Sequence, residues 1–462
     1  MPEGTPAVRA SGASDWTQHS GGFGLILCLA MIWALLGPAN ASAAPKRYVV
    51  ILKNGASQSQ DARSLGATPT MTYGAPIPGY AAVLSDSAQQ QVKSDPNVLM
   101  AVADRHFKGA GTKPRQISSA GVRGVAEGGT DRIAEAEAEG CATAANGYCL
   151  ATGLTQAVPS NLERVGLLES PTADINGTDD PIPVGVAVLD TGIETENPEL
   201  NVAGGVNCSD SPQPGYGDVY GHGTFVGGVI AAEDNSFGVV GVAPGAPLYS
   251  VRVLDENDGA ELSNILCGID WVIAHRSEIR VANMSFVEEE VPVAEDHHCG
   301  RTVNDPLHLA ICEGVKDGIT FVAAAGNYAE NTAEAIPAGY SQVITAGGLS
   351  DTDGKPGGEG GECWGYKDDV FAPFSNYGRA VDVLAVATCD ESDFLEGTVV
   401  EWEGTSFASP AVAGAAALLL DQNPTLTPRE VRHTIKTTAE RDRHLPGRPP
   451  TTTRRILNVG GF

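Results

Sequence analysis

The chain has 462 residues, 42 % of them hydrophobic, enough apolar surface for one large domain plus extensions. It carries 57 acidic against 29 basic side chains, for a formal charge of −28. That balance argues against nucleic acid or an anionic membrane as a partner, and a solvated acidic surface accounts for it.

Residues 1–43 read as an N-terminal extension with a secretory signal peptide. An apolar run over 23–36 is too short for a comfortable membrane span, and Ala41-Ser42-Ala43 follows as an A-x-A cleavage pattern. The chain is therefore expected to be secreted and extracellular, with no stable membrane association. Glu3, Arg9 and Asp15 leave the leading segment without a net positive charge, so a misassigned start or a signal anchor is the alternative. Of nine cysteines, Cys28 lies in that run. The other eight fit disulfides, with Cys141–Cys149, Cys299–Cys312 and Cys363–Cys389 as local candidates and the connectivity left open.

Residues 44–107 read as a small α+β unit. Strands are predicted over 47–53, 79–84 and 98–102, with Ser85 capping a short helix through Val92. Residues 108–155 are rich in Gly, Ala and Glu and include AEAEAEG (134–140), a flexible linker accessible to proteolysis. Residues 156–462 alternate strand and helix. Continuous apolar runs at 184–190, 248–254, 280–286, 319–325, 342–348 and 381–387 are separated by helical patterns at 222–232, 261–276, 305–317 and 406–421. Strands apolar on both faces predict a doubly wound parallel sheet covered by helices on both sides. Its ligand sites should gather at the carboxyl ends of the strands. Segments 287–304 and 351–371 read as acidic or Gly-rich surface insertions, and DTDG (351–354) as a turn.

Residues 403–420, EGTSFASPAVAGAAALLL, carry the strongest signal. Gly404 permits a sharp turn, and Pro410 is expected in the first turn of a helix, where no N–H is needed. Ser406 then lies near unpaired N–H groups and the positive end of the helix dipole. Alone, such a serine is no more than an N-cap. Upstream, however, Asp190 ends a strand in VLDTGI, His222 opens a helix in GHGTFVGG, and Asn327 follows a strand in AAAGN. Acyl transfer needs a hydroxyl nucleophile, an imidazole base, a carboxylate to orient it and donors for the oxyanion. D-T-G occurs once, which rules out the paired carboxylates of an aspartic protease.

With DTGI (190–193), GHGTFVGG (221–228), GVVGVAPGA (238–246), NMS (283–285), AAAGN (323–327) and GTSFASPAVAG (404–414), the chain resembles the subtilisin family, or subtilases, from about 156 to 438. The resemblance implies a serine endopeptidase acting on polypeptides, with no cofactor for catalysis. Ser406 would be the nucleophile, His222 the general base, Asp190 its orienting carboxylate and Asn327 an oxyanion donor. Ser285, Phe286 and Val287 would bind the substrate backbone by β-augmentation. Phe286 and Val287 replace the Leu-Gly common in relatives, so Phe286 should reshape a subsite. Ala335 would form the floor of the primary specificity pocket and favour large apolar or aromatic P1 residues. Residues 47–107 resemble an inhibitory propeptide, which implies a zymogen inhibited by its own propeptide, with the final cut between Arg105 and Leu154. A structural calcium site would use Gln156, Glu199, Asn235 and the carbonyls of Glu233, Phe237 and Val239, an oxygen-only set of the kind calcium requires. The enzyme is expected to be a monomer. The competing reading is a catalytically silent binding protein that keeps the fold.

Overall fold

The computed structural model describes residues 46–111, 156–235, 238–289, 291–293 and 298–462, and the backbone of 115–116, 142–143 and 149–150. The signal-peptide segment and the proposed Cys141–Cys149 disulfide lie outside what is described, since Cys141 and the Cys149 side chain are not. The small α+β unit is an antiparallel sheet in the order Pro69–Tyr73, Gly79–Leu84, Lys46–Leu52, Val98–Ala103. Helices Gln58–Ser64 and Asp86–Val92 accompany it, the second capped by Ser85, whose hydroxyl accepts from Ala88 N at 3.2 Å. Strand alternation, with both faces covered, explains why Tyr48 to Leu52 of this strand are all buried while Lys46 and Arg47 at its start are not. Tyr48, Val50 and Leu52 pack with Ala62, Ala88 and Val92 under these helices. Val49 and Ile51 face the other way and join Leu262, Ile265 and Ile269 of the large domain. The helix Gln58–Ser64 and the strand Pro69–Tyr73 lack such apolar runs and are not predicted by periodicity.

The large sheet runs in the order Val202–Asn207, Leu248–Arg252, Gly185–Asp190, Ile279–Met284, Thr320–Ala324, Ile344–Ser350, Val381–Val386, Arg455–Ile456, Glu440–Arg441. Pairing is parallel up to Arg455–Ile456. Both faces are covered, as the continuous apolar runs predict. Val186 and Val188 meet Phe225, Val229 and the helix Thr405–Gln422 on one side. Ala187 and Leu189 meet the helices Leu262–Ala274 and Pro306–Lys316 on the other. Strand order reverses beside Gly185–Asp190, which opens a crevice at its carboxyl end.

Three readings need correction or extension. Pro410 is not in the first turn of its helix but in the second, since the helix begins at Thr405. Its missing N–H frees the carbonyl of Ser406, which instead accepts from Ser285 Oγ at 2.8 Å. The 351–371 segment is not a plain surface insertion. Asp351 and Asp369 turn inward on buried Arg164, at 2.9 and 3.4 Å, with Glu440 at 2.9 Å completing its shell. The disulfides Cys299–Cys312 and Cys363–Cys389 are formed, and Cys208–Cys267, which no local spacing indicates, ties an edge strand to the helix Leu262–Ala274.

Candidate active site

Asp190 ends the strand at the crevice, and His222 opens the helix His222–Ala231 beside it. That helix starts at Gly221, whose φ of 107° suits glycine alone. Asp218 satisfies its free N–H groups, accepting from Gly221 N at 2.8 Å and Thr224 N at 2.8 Å. The imidazole is thereby held with Nδ1 2.7 Å from Asp190 Oδ1, and both residues are buried. Trp402 and Phe407 wall the ring at centroid distances of 5.5 and 5.6 Å. Burial works to lower the His222 pKa, but the Asp190 charge and hydrogen bond outweigh it. With Asp258 and Asp218 adding to them, the pKa is pushed up to about 9.

Ser406 is the second residue of its helix and is fully buried. Its hydroxyl donates to the Ser285 carbonyl at 3.3 Å, and His222 Nε2 has no hydrogen-bond partner. The predicted Ser406–His222 hydrogen bond is thus not made in this arrangement. Gly111 lies against the free edge of the ring: a Cβ built on it would be 3.0 Å from Cδ2 and 3.1 Å from Nε2.

Asn327 follows the strand Thr320–Ala324, and its side chain is locked in orientation. Its Oδ1 accepts from Thr405 N at 2.9 Å and Thr405 Oγ1 at 2.8 Å, which leaves Nδ2 to donate. The acceptor is the carbonyl of Ala110. Ala110 N donates to the Ser285 carbonyl at 3.0 Å. Immediately upstream, the strand His106–Gly109 lies between Gly259–Glu261 and Phe286–Val287, antiparallel to both. Residues 108 and 109, expected in the linker, are therefore ordered in the crevice. Phe286 packs edge-to-face on Phe107 at 6.1 Å. Ala110 sits in an apolar cluster with Val287, Ala324, Ala335 and Ala338. Ser285, Phe286, Val287 and Ala335 thus all meet the segment 107–110, Phe286 and Val287 through the strand and Ser285 and Ala335 through Ala110. Thr405, Trp402 and Asp258 are neighbours that the sequence reading missed. Thr405 stands inside the quoted GTS motif, whereas Asp258 sits in DENDGAE and reads only as a turn.

The proposed metal ligands also converge. Gln156 Nε2 donates to the carbonyls of Glu233 at 2.5 Å and Val239 at 3.4 Å. Asn235 Nδ2 lies 3.3 Å from Glu233 Oε2. Glu199 is buried, its Oε2 lacks a partner, and burial pushes its carboxyl up to about 7. Phe237 lies outside the described residues. A buried carboxylate oxygen without a donor, beside backbone carbonyls, fits a hard cation. Asp351, Asp353 and Asp368 also bring carboxylate oxygens within 4.8 Å of one another. They accept instead from Gly354 N, Lys355 N and Thr352 N, at 2.7, 3.0 and 2.7 Å, as a turn requires.

A buried carboxylate–imidazole pair beside a helix-borne serine, at the carboxyl edge of a parallel sheet, defines the subtilisin-like α/β fold. The chain belongs to the subtilase family, whose model matches residues 183–456. It is 37 % identical over 259 residues to subtilisin NAT of Bacillus subtilis subsp. natto, covering 55 % of this chain and 60 % of that protein. It is 36 % identical over 259 residues to the subtilisin of Bacillus pumilus, covering 55 % of this chain and 83 % of that protein. It is 34 % identical over 288 residues to the alkaline protease of Shouchella clausii, covering 62 % and 66 %. Among the described residues, no helix is long and apolar enough to cross a membrane.

Proposed function

We propose that the protein is a secreted serine endopeptidase, made as a zymogen that cuts itself between Ala110 and Gly111. One observation carries this reading: the Ala110 carbonyl accepts from Asn327 Nδ2, at the mouth of a buried site holding Ser406, His222 and Asp190. In this reading Ser406 Oγ attacks that carbonyl. His222 takes the proton and passes it to the leaving Gly111 amine, while Asp190 holds Nδ1–H and the charged ring. Asn327 Nδ2 and the Ser406 N–H stabilise the oxyanion. Ala110 is then the P1 residue, in a pocket whose small apolar walls, including Ala335, admit larger apolar or aromatic side chains. Water, deprotonated by the same imidazole, then hydrolyses the Ala110–Ser406 ester, and residues 46–110 stay bound as a noncovalent inhibitor. They are held by the strand pairing and by Asp104, which accepts from Ser263 N at 2.9 Å and Ser263 Oγ at 2.7 Å. Calcium would be held by Glu199, Asn235 and the carbonyls of Glu233 and Val239, with Gln156 alongside, and would stiffen the loop rather than take part in chemistry.

N-terminal sequencing of the processed enzyme tests the reading. A new terminus at Gly111, or one further trimmed from it, is expected, together with fluorophosphonate labelling. Ser406→Ala should stay full-length and unlabelled. Processing of Ser406→Ala at the wild-type rate and position would overturn it.

A further inference from the structure

We propose that Asp258 is the S2 specificity determinant and restricts the P2 position to glycine; this rests on the seated segment marking the substrate path. Gly109 occupies the P2 position, one residue before Ala110. Its backbone does not call for glycine, because it lies in a strand and outside the left-handed region. What calls for glycine is space. A Cβ built on Gly109 would fall inside van der Waals contact with Cγ and both oxygens of the Asp258 carboxylate. No other side chain is among the three nearest atoms to that point.

The carboxylate is held there by its own loop. Gly109 N donates to the Asp258 carbonyl at 2.9 Å, so substrate backbone and side-chain wall come from one residue. Asp258 N donates to the Asp255 carbonyl at 3.1 Å, and Gly259 N to Asp255 Oδ1 at 3.1 Å. Asp258 itself has φ 60°, a left-handed conformation that Asp tolerates better than most residues. Its Oδ1 is buried without a hydrogen-bond partner. A larger P2 side chain must displace this carboxylate from a loop already tied at both ends. A glycine leaves it in place.

The test uses processed wild-type enzyme and quenched peptides spanning residues 105–115, with position 109 as Gly, Ala, Ser, Leu or Lys. Active sites are counted by fluorophosphonate titration. Wild type should favour Gly over Ala by at least about tenfold in kcat/KM. Asp258→Gly, which suits the positive φ, should bring that ratio within about threefold by raising the rate on the Ala peptide, a gain that misfolding cannot mimic. Asp258→Asn keeps the volume and should keep the glycine preference. Equal wild-type rates on Gly and Ala, a preference for Lys, or an unchanged ratio in Asp258→Gly would overturn the inference. Enzyme that titrates fully yet fails to discriminate loses only this inference. Enzyme that neither titrates nor cleaves any of the peptides takes the protease reading down with it.

Discussion

The crevice around Ser406 and the loop at residues 233–239 are built from opposite polar inventories. At the crevice a donor meets a carbonyl: Asn327 Nδ2 reaches Ala110, held in that orientation by Thr405 N and Oγ1 on its Oδ1. At the loop, acceptors converge: the Glu233 and Val239 carbonyls meet a single amide, and Glu199 Oε2 meets none. A side-chain donor aimed at a carbonyl is suited to developing negative charge, and carbonyls beside an unpartnered carboxylate oxygen to a cation. On the function proposed above, burial serves chemistry at one place and rigidity at the other.

That contrast can be broken by substitutions that should affect different measurements. Asn327→Ala removes a donor and should lower kcat by about 10²–10³ with KM nearly unchanged, its cost in Tm confined to the two Thr405 hydrogen bonds it also removes. Thr405→Val, which frees the Asn327 amide to turn, should show the same pattern in weaker form. Chelation of the processed enzyme, or Glu199→Gln, should instead lower Tm by about 5–10 °C, the shift a ligand near 100 times its Kd supports in a domain this size. Its kcat well below Tm should hold. Thermal melts and steady-state kinetics on the same preparations decide the matter. Equal loss of rate and of melting temperature in both variants would dissolve the distinction.

Much of this was legible in the sequence for a physical reason. Asp190, His222, Asn327 and Ser406 sit where strands end or helices begin, so short motifs carry both the backbone geometry and the reactive group. Continuous apolar runs gave the parallel sheet because burial on both faces leaves no other pattern. Asp258 was hidden because its role depends on Gly109, a residue almost 150 positions earlier that pairs with it only after folding. Ala110 was hidden likewise: nothing in HFKGAG distinguishes it until the neighbouring strands dock. The helix Pro428–Thr438 was missed although its capping box, Thr427 with Glu430, is visible in TPRE. Its weak apolar content, with only Val431 and Ile435 buried, masked the period.

Asp258 is an unpartnered acceptor inside the crevice, and it allows the finest test of the contrast. Burial raises its own pKa to about 7, with the neighbouring acids Asp190, Asp218 and Asp255 adding to the shift and His222 opposing it. It is therefore ionised at the pH where His222, lifted to about 9, titrates with residues 106–110 seated in the crevice. The imidazole must be neutral to accept the Ser406 proton, so single-turnover self-cleavage should slow as pH falls below about 9. Asp258→Asn removes one of the negative charges that favour the imidazolium. The acid limb should then move to lower pH, by less than about one unit because Asp190 is the larger influence. Cleavage followed by gel after a pH jump, from denaturant-refolded zymogen, measures this limb in both proteins. A limb that stays put would mean that Asp258 acts on the substrate by volume alone, and a limb that rises would contradict the electrostatic account of His222.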